Sequence, residues 1–179
     1  MPKGPFRSRI ALPSFTYAHL PRAGLGNRLL VWARARVFAS LNDLPLVVSP
    51  WAQLHLGPLL RGEQKLRWYA GYFAGTPATL TAAEALLRPL YDTCPEPDLA
   101  ARGGAAGVRY EFSRVPDWSN YFGSLHEHRE LVRRALFAML SARTRARLEA
   151  EPTPCIAVHV RMGDFRPLSP GEDFARVGQ

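Results

Sequence analysis

Cysteine is scarce in this chain: Cys94 and Cys155 are its only two. They lie far apart and form no C-x-x-C pair, so the sequence supports neither a disulfide framework nor a zinc site. Cys155 reads as a small core residue. Long apolar runs are missing as well, since no stretch approaches the roughly 20 apolar residues that span a bilayer. The start, Met1-Pro2-Lys3-Gly4-Pro5-Phe6-Arg7, is basic, but the continuous apolar segment and small-residue cleavage site of a secretory signal do not follow it. A soluble, cytoplasmic protein is expected, with peripheral association with a membrane left open. There is no internal repeat. Acid is the charge in deficit: 15 Asp and Glu against 23 Lys and Arg leave a net charge of +8. That balance points to an anionic partner such as a nucleotide, a nucleic acid or a membrane surface, without choosing among them. Much of the excess is arginine on segments that read as helical, where part of it is a solvated face. Core-forming material is present in ordinary proportion, 47% hydrophobic against 21% charged, which argues against disorder. The 179 residues fit one domain, or one domain and the beginning of another.

The run Cys155-Ile156-Ala157-Val158-His159-Val160 follows Pro152 and Pro154 and ends in Arg161-Met162-Gly163-Asp164. It reads as a buried strand of a parallel sheet closed by a Gly163-Asp164 turn. Ligands of open α/β sheets bind at the carboxyl ends of strands. His159 and Arg161 are two apart and share a face as the strand leaves the sheet, which aims a fixed guanidinium charge into that crevice, with a phosphate as its natural guest. The plainer alternative is that Arg161 is a solvated or capping charge that Asp164 neutralises.

Upstream, Ser14 to Leu20 reads as a first strand, and it runs into Pro21-Arg22-Ala23-Gly24-Leu25-Gly26-Asn27. Arg28 to Leu41 follows as a helix, with Leu29, Leu30, Ala33, Val37 and Leu41 on an apolar face and Arg28, Arg34 and Arg36 largely off it. Leu44 to Val48 supplies a second strand and completes a βαβ unit. Between Trp51 and Gly75 the best strand candidate is Arg67 to Phe73. Thr81-x-x-Glu84 is a capping box opening a helix to about Leu90, Cys94 to Gly107 reads as loop, and Ser124-Leu125-His126-Glu127 is a second capping box. This second box starts the longest expected helix, through Leu140, with a continuation from Ser141 to Ala150.

Gly24-Leu25-Gly26-Asn27 has the first half of a dinucleotide fingerprint, but Leu29 stands where the third glycine belongs. Two glycines still let backbone approach a ligand closely, and the helix N-terminus behind them favours negative charge or oxygen acceptors. Asn27 read alone is an N-cap. Arg129, Arg133, Arg134, Arg143, Arg145 and Arg147 form a basic helical region, yet Glu130 and Glu149 interrupt it and no helix-turn-helix or RNA-binding signature accompanies it, so no nucleic-acid partner is expected. His126 and His128, two apart on a helix, make a poor metal pair.

In order, GLGNRLLVWARARVFASLNDLPLVV, SNYFGSLHEHRELVRRAL and CIAVHVRMGDF resemble the landmarks in the first half of α-1,2-fucosyltransferases of the glycosyltransferase 11 type. Those landmarks are a G-x-G-N opening, an aromatic segment before an amphipathic helix, and H-x-R-x-G-D. Protein O-fucosyltransferases are similar at both ends. The resemblance spans Gly24 to Phe165 and implies an α/β fold, the N-terminal half of a GT-B-like glycosyltransferase. Its Rossmann-like domain would cover 1–154, and 155–179 would be the first strand and loop of a truncated donor-binding domain. The chain is then expected to be incomplete and inactive alone. In the full-length form the implied reaction is inverting transfer of fucose from GDP-fucose to a glycan acceptor, with no cofactor and no metal. By position, Arg161 looks like the arginine gripping the diphosphate, His159 shapes the same pocket, Gly163-Asp164 turn behind it, and Gly24, Gly26 and Asn27 face the donor across the cleft. Met162 stands where many members carry a second arginine. The general base is either Asp164 or a residue beyond the chain. A non-catalytic nucleotide- or polyanion-binding α/β module is the alternative.

Overall fold

The computed structural model describes residues 12–52, 69, 71–74, 88–117 and 120–150. Four parallel strands form one sheet: β1 (Phe15–Ala18), β2 (Leu46–Val48), β3 (Asp92–Pro95) and β4 (Val108–Phe112), in the order β2-β1-β4-β3. In register, Thr16 pairs with Leu46 and Tyr110, and Cys94 pairs with Tyr110 from the other side. Because every strand runs the same way, all four carboxyl ends lie on one edge.

Helix α1 (Leu25–Leu41) connects β1 to its parallel neighbour β2, the βαβ unit expected from the sequence. Its Phe38 ring is fully buried and packs 5.0 Å from Tyr110 and 5.6 Å from Phe112. Alternation along the strands therefore assigns Thr16, Ala18, Tyr110 and Phe112 to the α1 face and Tyr17, Arg109 and Glu111 to the other. The outer side of α1 meets a 3₁₀ turn (Gly123–His128) and α2 (Arg129–Met139), whose Leu131, Val132, Ala135 and Leu136 pack against the core. With protein on both sides α1 is buried almost all round, as a helix between two layers must be. The sequence reading set Arg28, Arg34 and Arg36 apart from its apolar face, yet Arg28 is fully buried and Leu41, assigned to the apolar face, is exposed.

Other expectations change as well. Cys94 and Pro95 belong to strand β3 rather than to a loop; β3 is a short, mostly exposed edge strand, and such strands carry little apolar signal. The central strand β4 lies in a stretch to which the sequence reading gave no element. The second capping box does not open a helix: residues 124–127 lie in the 3₁₀ turn, no side chain caps it, and α2 starts at Arg129, so α1 with 17 residues is longer than α2 with 11. Finally, Ser141 to Ala150 does not continue α2. Leu140 turns extended and bridges to Phe73, and Ser141 Oγ then accepts the Thr144 N–H at 3.2 Å to start α3 (Ala142–Ala150) afresh. Arg88–Leu90, at the end of the expected 81–90 helix, is a 3₁₀ turn. The Thr81–Glu84 box, Arg67 and Trp68, and everything from 151 onward lie outside the described residues, including the expected strand from Cys155 and domain boundary at 154–155.

Candidate site at the carboxyl edge of the sheet

Three loops meet at the carboxyl edge, and hydrogen bonds fasten them to one another. His19 N–H donates to Phe112 O at 2.8 Å, Ser49 N–H to Ala18 O at 3.0 Å, and Leu20 N–H to Ser49 Oγ at 2.8 Å. The chain after β1 is thus stitched to the ends of both neighbours. Arg28 completes the stitching: its Nε donates to Ala23 O at 3.2 Å, its Nη1 to Trp51 O, and its guanidinium lies 5.0 Å over the Tyr69 ring. Burial lowers the pKa of this guanidinium from the ordinary arginine value, and the nearby Tyr69 acts in the opposite sense. Arginine stays charged in proteins regardless, so a buried cation ties the loop leading into α1 to the segment leaving β2.

That loop carries Gly24 and Gly26. Gly24 is the N-cap of α1, with φ −62° and ψ 163°, and Gly26 lies in the first turn. Neither has a positive φ, and a Cβ built on either would meet nothing within 4 Å. Neither backbone geometry nor packing within the described residues requires glycine at these positions. Asn27 is a first-turn residue rather than the N-cap expected from the residue alone, and its Oδ1 accepts the Tyr121 hydroxyl. Two of the three sequence landmarks, the G-x-G-N loop and the aromatic segment, are thereby brought together. Between them a cleft of about 520 Å³ opens, lined by Gly26, Asn27, Tyr121, Phe122, Leu125 and His126 among others, with Arg129 and Arg133 along it. Its wall is mostly apolar and aromatic with a few polar groups, a surface suited to the flat face of a ring with an anion held by the arginines.

The β3–β4 corner holds another fixed group. Glu96 follows β3 in the left-handed region, with φ 47°. Its Oε1 accepts the backbone N–H groups of Ser113 and Arg114, each at 2.6 Å, and its Oε2 lies 2.9 Å from Arg34 Nη2 on α1. A non-glycine residue held there costs energy unless its surroundings over-determine it, and here three contacts do so. On the sheet face away from α1, Arg109 Nη2 donates to Glu111 Oε2 at 2.6 Å and Thr93 Oγ1 at 3.1 Å. Glu111 Oε1 in turn lies 3.3 Å from His19 Nδ1.

Of the residues singled out in the sequence, Gly24, Gly26 and Asn27 come together at this edge. His159, Arg161, Gly163 and Asp164 lie outside the described residues. The sequence reading missed His19, Glu111, Glu96 and Tyr121 as site groups. The period-two pattern Val108-Arg109-Tyr110-Glu111-Phe112 after Gly107 is the signal that could have found β4 and, with it, Glu111. Among the described residues no group of three His, Cys, Asp or Glu side chains is arranged to hold a metal ion, and no helix is long and apolar enough to cross a membrane. Compared with known proteins, the chain matches no family model, no curated protein and no solved structure.

Proposed function

We propose that the protein is a fucosyltransferase-like glycosyltransferase that binds GDP-fucose at the carboxyl edge of its sheet and transfers the sugar, with inversion, to a glycan hydroxyl. The parallel α/β sheet is compatible with a GT-B-like half, and the order of the three sequence landmarks supports the family reading. The single observation that carries it is the glycine loop. Gly24 and Gly26 occupy the start of α1 at a carboxyl strand end, nothing in the described fold requires glycine there, and open space lies beside both. A ligand approaching the backbone accounts for what the fold does not, and the N–H groups at a helix start favour an anionic one. In this reading Arg161 and His159 grip the diphosphate from the other side of the cleft, Gly163 and Asp164 form the turn behind them, and the reaction uses no metal. The acceptor is a glycan; nucleic acid is not a partner.

The test separates ligand approach from folding. Because a Cβ at Gly26 meets no protein atom, Gly26→Ala is expected to keep or slightly raise stability, by up to about 1 kcal/mol from helix propensity. Gly26→Val in the full chain is expected to fold as well and to bind GDP at least tenfold more weakly by calorimetric titration. Parental GDP affinity in a folded Gly26→Val protein would reduce the loop to a plain helix start.

A further inference from the structure

The chain of contacts His19–Glu111–Arg109–Thr93 lies outside the cleft described above. Its order of burial is informative. The Arg109 side chain is 7% exposed and Glu111 13%, whereas His19 is 53% exposed. The inner two groups are held inside the sheet face, and the imidazole is the end that meets solvent. Arg109 is fixed from several sides: Nη2 reaches both Glu111 and Thr93, and the guanidinium lies 5.7 Å over the Tyr17 ring. It fixes Glu111 in turn. Glu111 presents its second oxygen 3.3 Å from His19 Nδ1, and the imidazole stacks on Tyr17 with centroids 5.9 Å apart and planes at 28°. Position along the chain matters as much. His19 is the first residue beyond β1 and opens the same turn that Gly24 closes, so one short backbone segment of the carboxyl edge carries both, with the imidazole over Tyr17 on the sheet face away from α1.

An imidazole whose Nδ1–H is held by a carboxylate is fixed in tautomer and presents Nε2 as a proton acceptor. A surface imidazole beside a carboxylate is common and by itself signifies little. Here the carboxylate is mostly buried, is anchored by a buried guanidinium, and stands at the strand edge where ligands of parallel sheets bind. We propose that His19, braced by Glu111, takes the proton from the attacking hydroxyl; the inference rests on the transferase reading above. The hydroxyl oxygen bonds to the anomeric carbon of the fucose. The bond from that carbon to the β-phosphate oxygen breaks, and its electron pair leaves with GDP. The hydroxyl proton passes to Nε2 of His19, and the imidazolium then releases it to solvent. This supplies a general base from the described residues, where the sequence offers Asp164 as a candidate.

Hydrolysis of GDP-fucose by the full chain tests this without an acceptor, because water takes the place of the hydroxyl and its proton must go to the same base. GDP release and GDP affinity are followed side by side. His19→Ala is expected to lose about a hundredfold or more in kcat, the usual scale for a general base, with GDP affinity unchanged and with part of the rate restored by added imidazole. The unchanged affinity also shows that the variant folds. If the parent binds GDP and hydrolyses GDP-fucose while His19→Ala does so at the parental rate, the base assignment is wrong and the transferase reading stands. A parent that binds no GDP overturns the transferase reading and the base with it. Binding of GDP with no hydrolysis by the parent overturns the base and favours the nucleotide-binding module.

Discussion

A guanidinium with no exposure to solvent has to find all its partners inside the protein, and Arg28 finds the carbonyls of Ala23 and Trp51 and the ring of Tyr69. Hydrogen bonds that involve a charged group each contribute about 1.5–3 kcal/mol, and removing the donor also strands two carbonyls. Arg28→Leu is therefore expected to cost about 3 kcal/mol or more, read as a lower urea midpoint with an unchanged slope. Arg28→Lys keeps the charge, but a single ammonium cannot reproduce the planar fork that spans both carbonyls, so it is expected to recover only part of the loss. A parental midpoint for Arg28→Leu would show that the loop is held by its backbone bonds alone. No count of apolar spacing along Arg28 to Leu41 could have revealed this role. Helical periodicity sorts residues by polarity, and Arg28 is buried because of what the loops before and after it leave unpaired. Gly24 and Gly26 were legible as a strand-to-helix junction for the opposite reason: their composition and spacing mark one without any partner.

Among the elements, those that answer to a repeating apolar pattern were read correctly, and those that answer to pairing were not. β1, α1 and β2 stand within a few residues of where the sequence put them. β4 was missed although it is central and alternates strictly between apolar and charged residues; Arg109 and Glu111 are tolerated on the sheet because each neutralises the other. The break at Leu140 was missed because its cause is non-local: Ala74 N–H donates to Met139 O at 2.8 Å and Ser141 N–H to Tyr72 O at 3.0 Å, so a segment some seventy residues upstream ends the helix. Ser141 then holds both sides of the junction. Its Oγ donates to Gly71 O at 2.7 Å and accepts the N–H of Thr144. Helix α3 has no buried residues, so this cap supplies much of what keeps it wound. Ser141→Ala is expected to cost about 1 kcal/mol, the ordinary worth of an N-cap. Hydrogen exchange reads the loss locally: amides of Ala142–Ala150 should exchange about fivefold faster, 1 kcal/mol being nearly that factor, while those of α1 keep the parental rate. Equal acceleration in both helices would mean that α3 opens only when the whole domain does.

Among the described residues, the parallel arrangement gathers several polar groups at one edge. His19 and Gly24 follow the carboxyl end of β1, Ser49 that of β2, Glu96 that of β3 and Ser113 that of β4, whereas at the opposite edge Thr16 N–H meets Pro45 O, Gly107 N–H meets Leu12 O and Val108 N–H meets Ser14 Oγ. A net charge of +8 adds a general attraction for anions but no address. Under the proposed function the address comes from the edge. GDP added to the full chain is therefore expected to protect amides of 22–28 and 120–126 from exchange, leaving those of Leu44, Leu46 and 107–109 at their free rates beyond the uniform slowing that binding gives globally exchanging sites. Through mass action, GDP at a hundred times its Kd should stabilise the protein by about 2.7 kcal/mol, and uncharged guanosine at the same concentration by much less, because the helix start and the cleft arginines have no anion to hold. Raising the salt concentration should narrow that difference, since exposed charges such as Arg129 and Arg133 are screened within a few ångströms at high ionic strength. Protection spread evenly over both edges, or equal stabilisation by GDP and guanosine, would trace the binding to net charge or to the apolar cleft alone and would take from the glycine loop its part in holding the diphosphate.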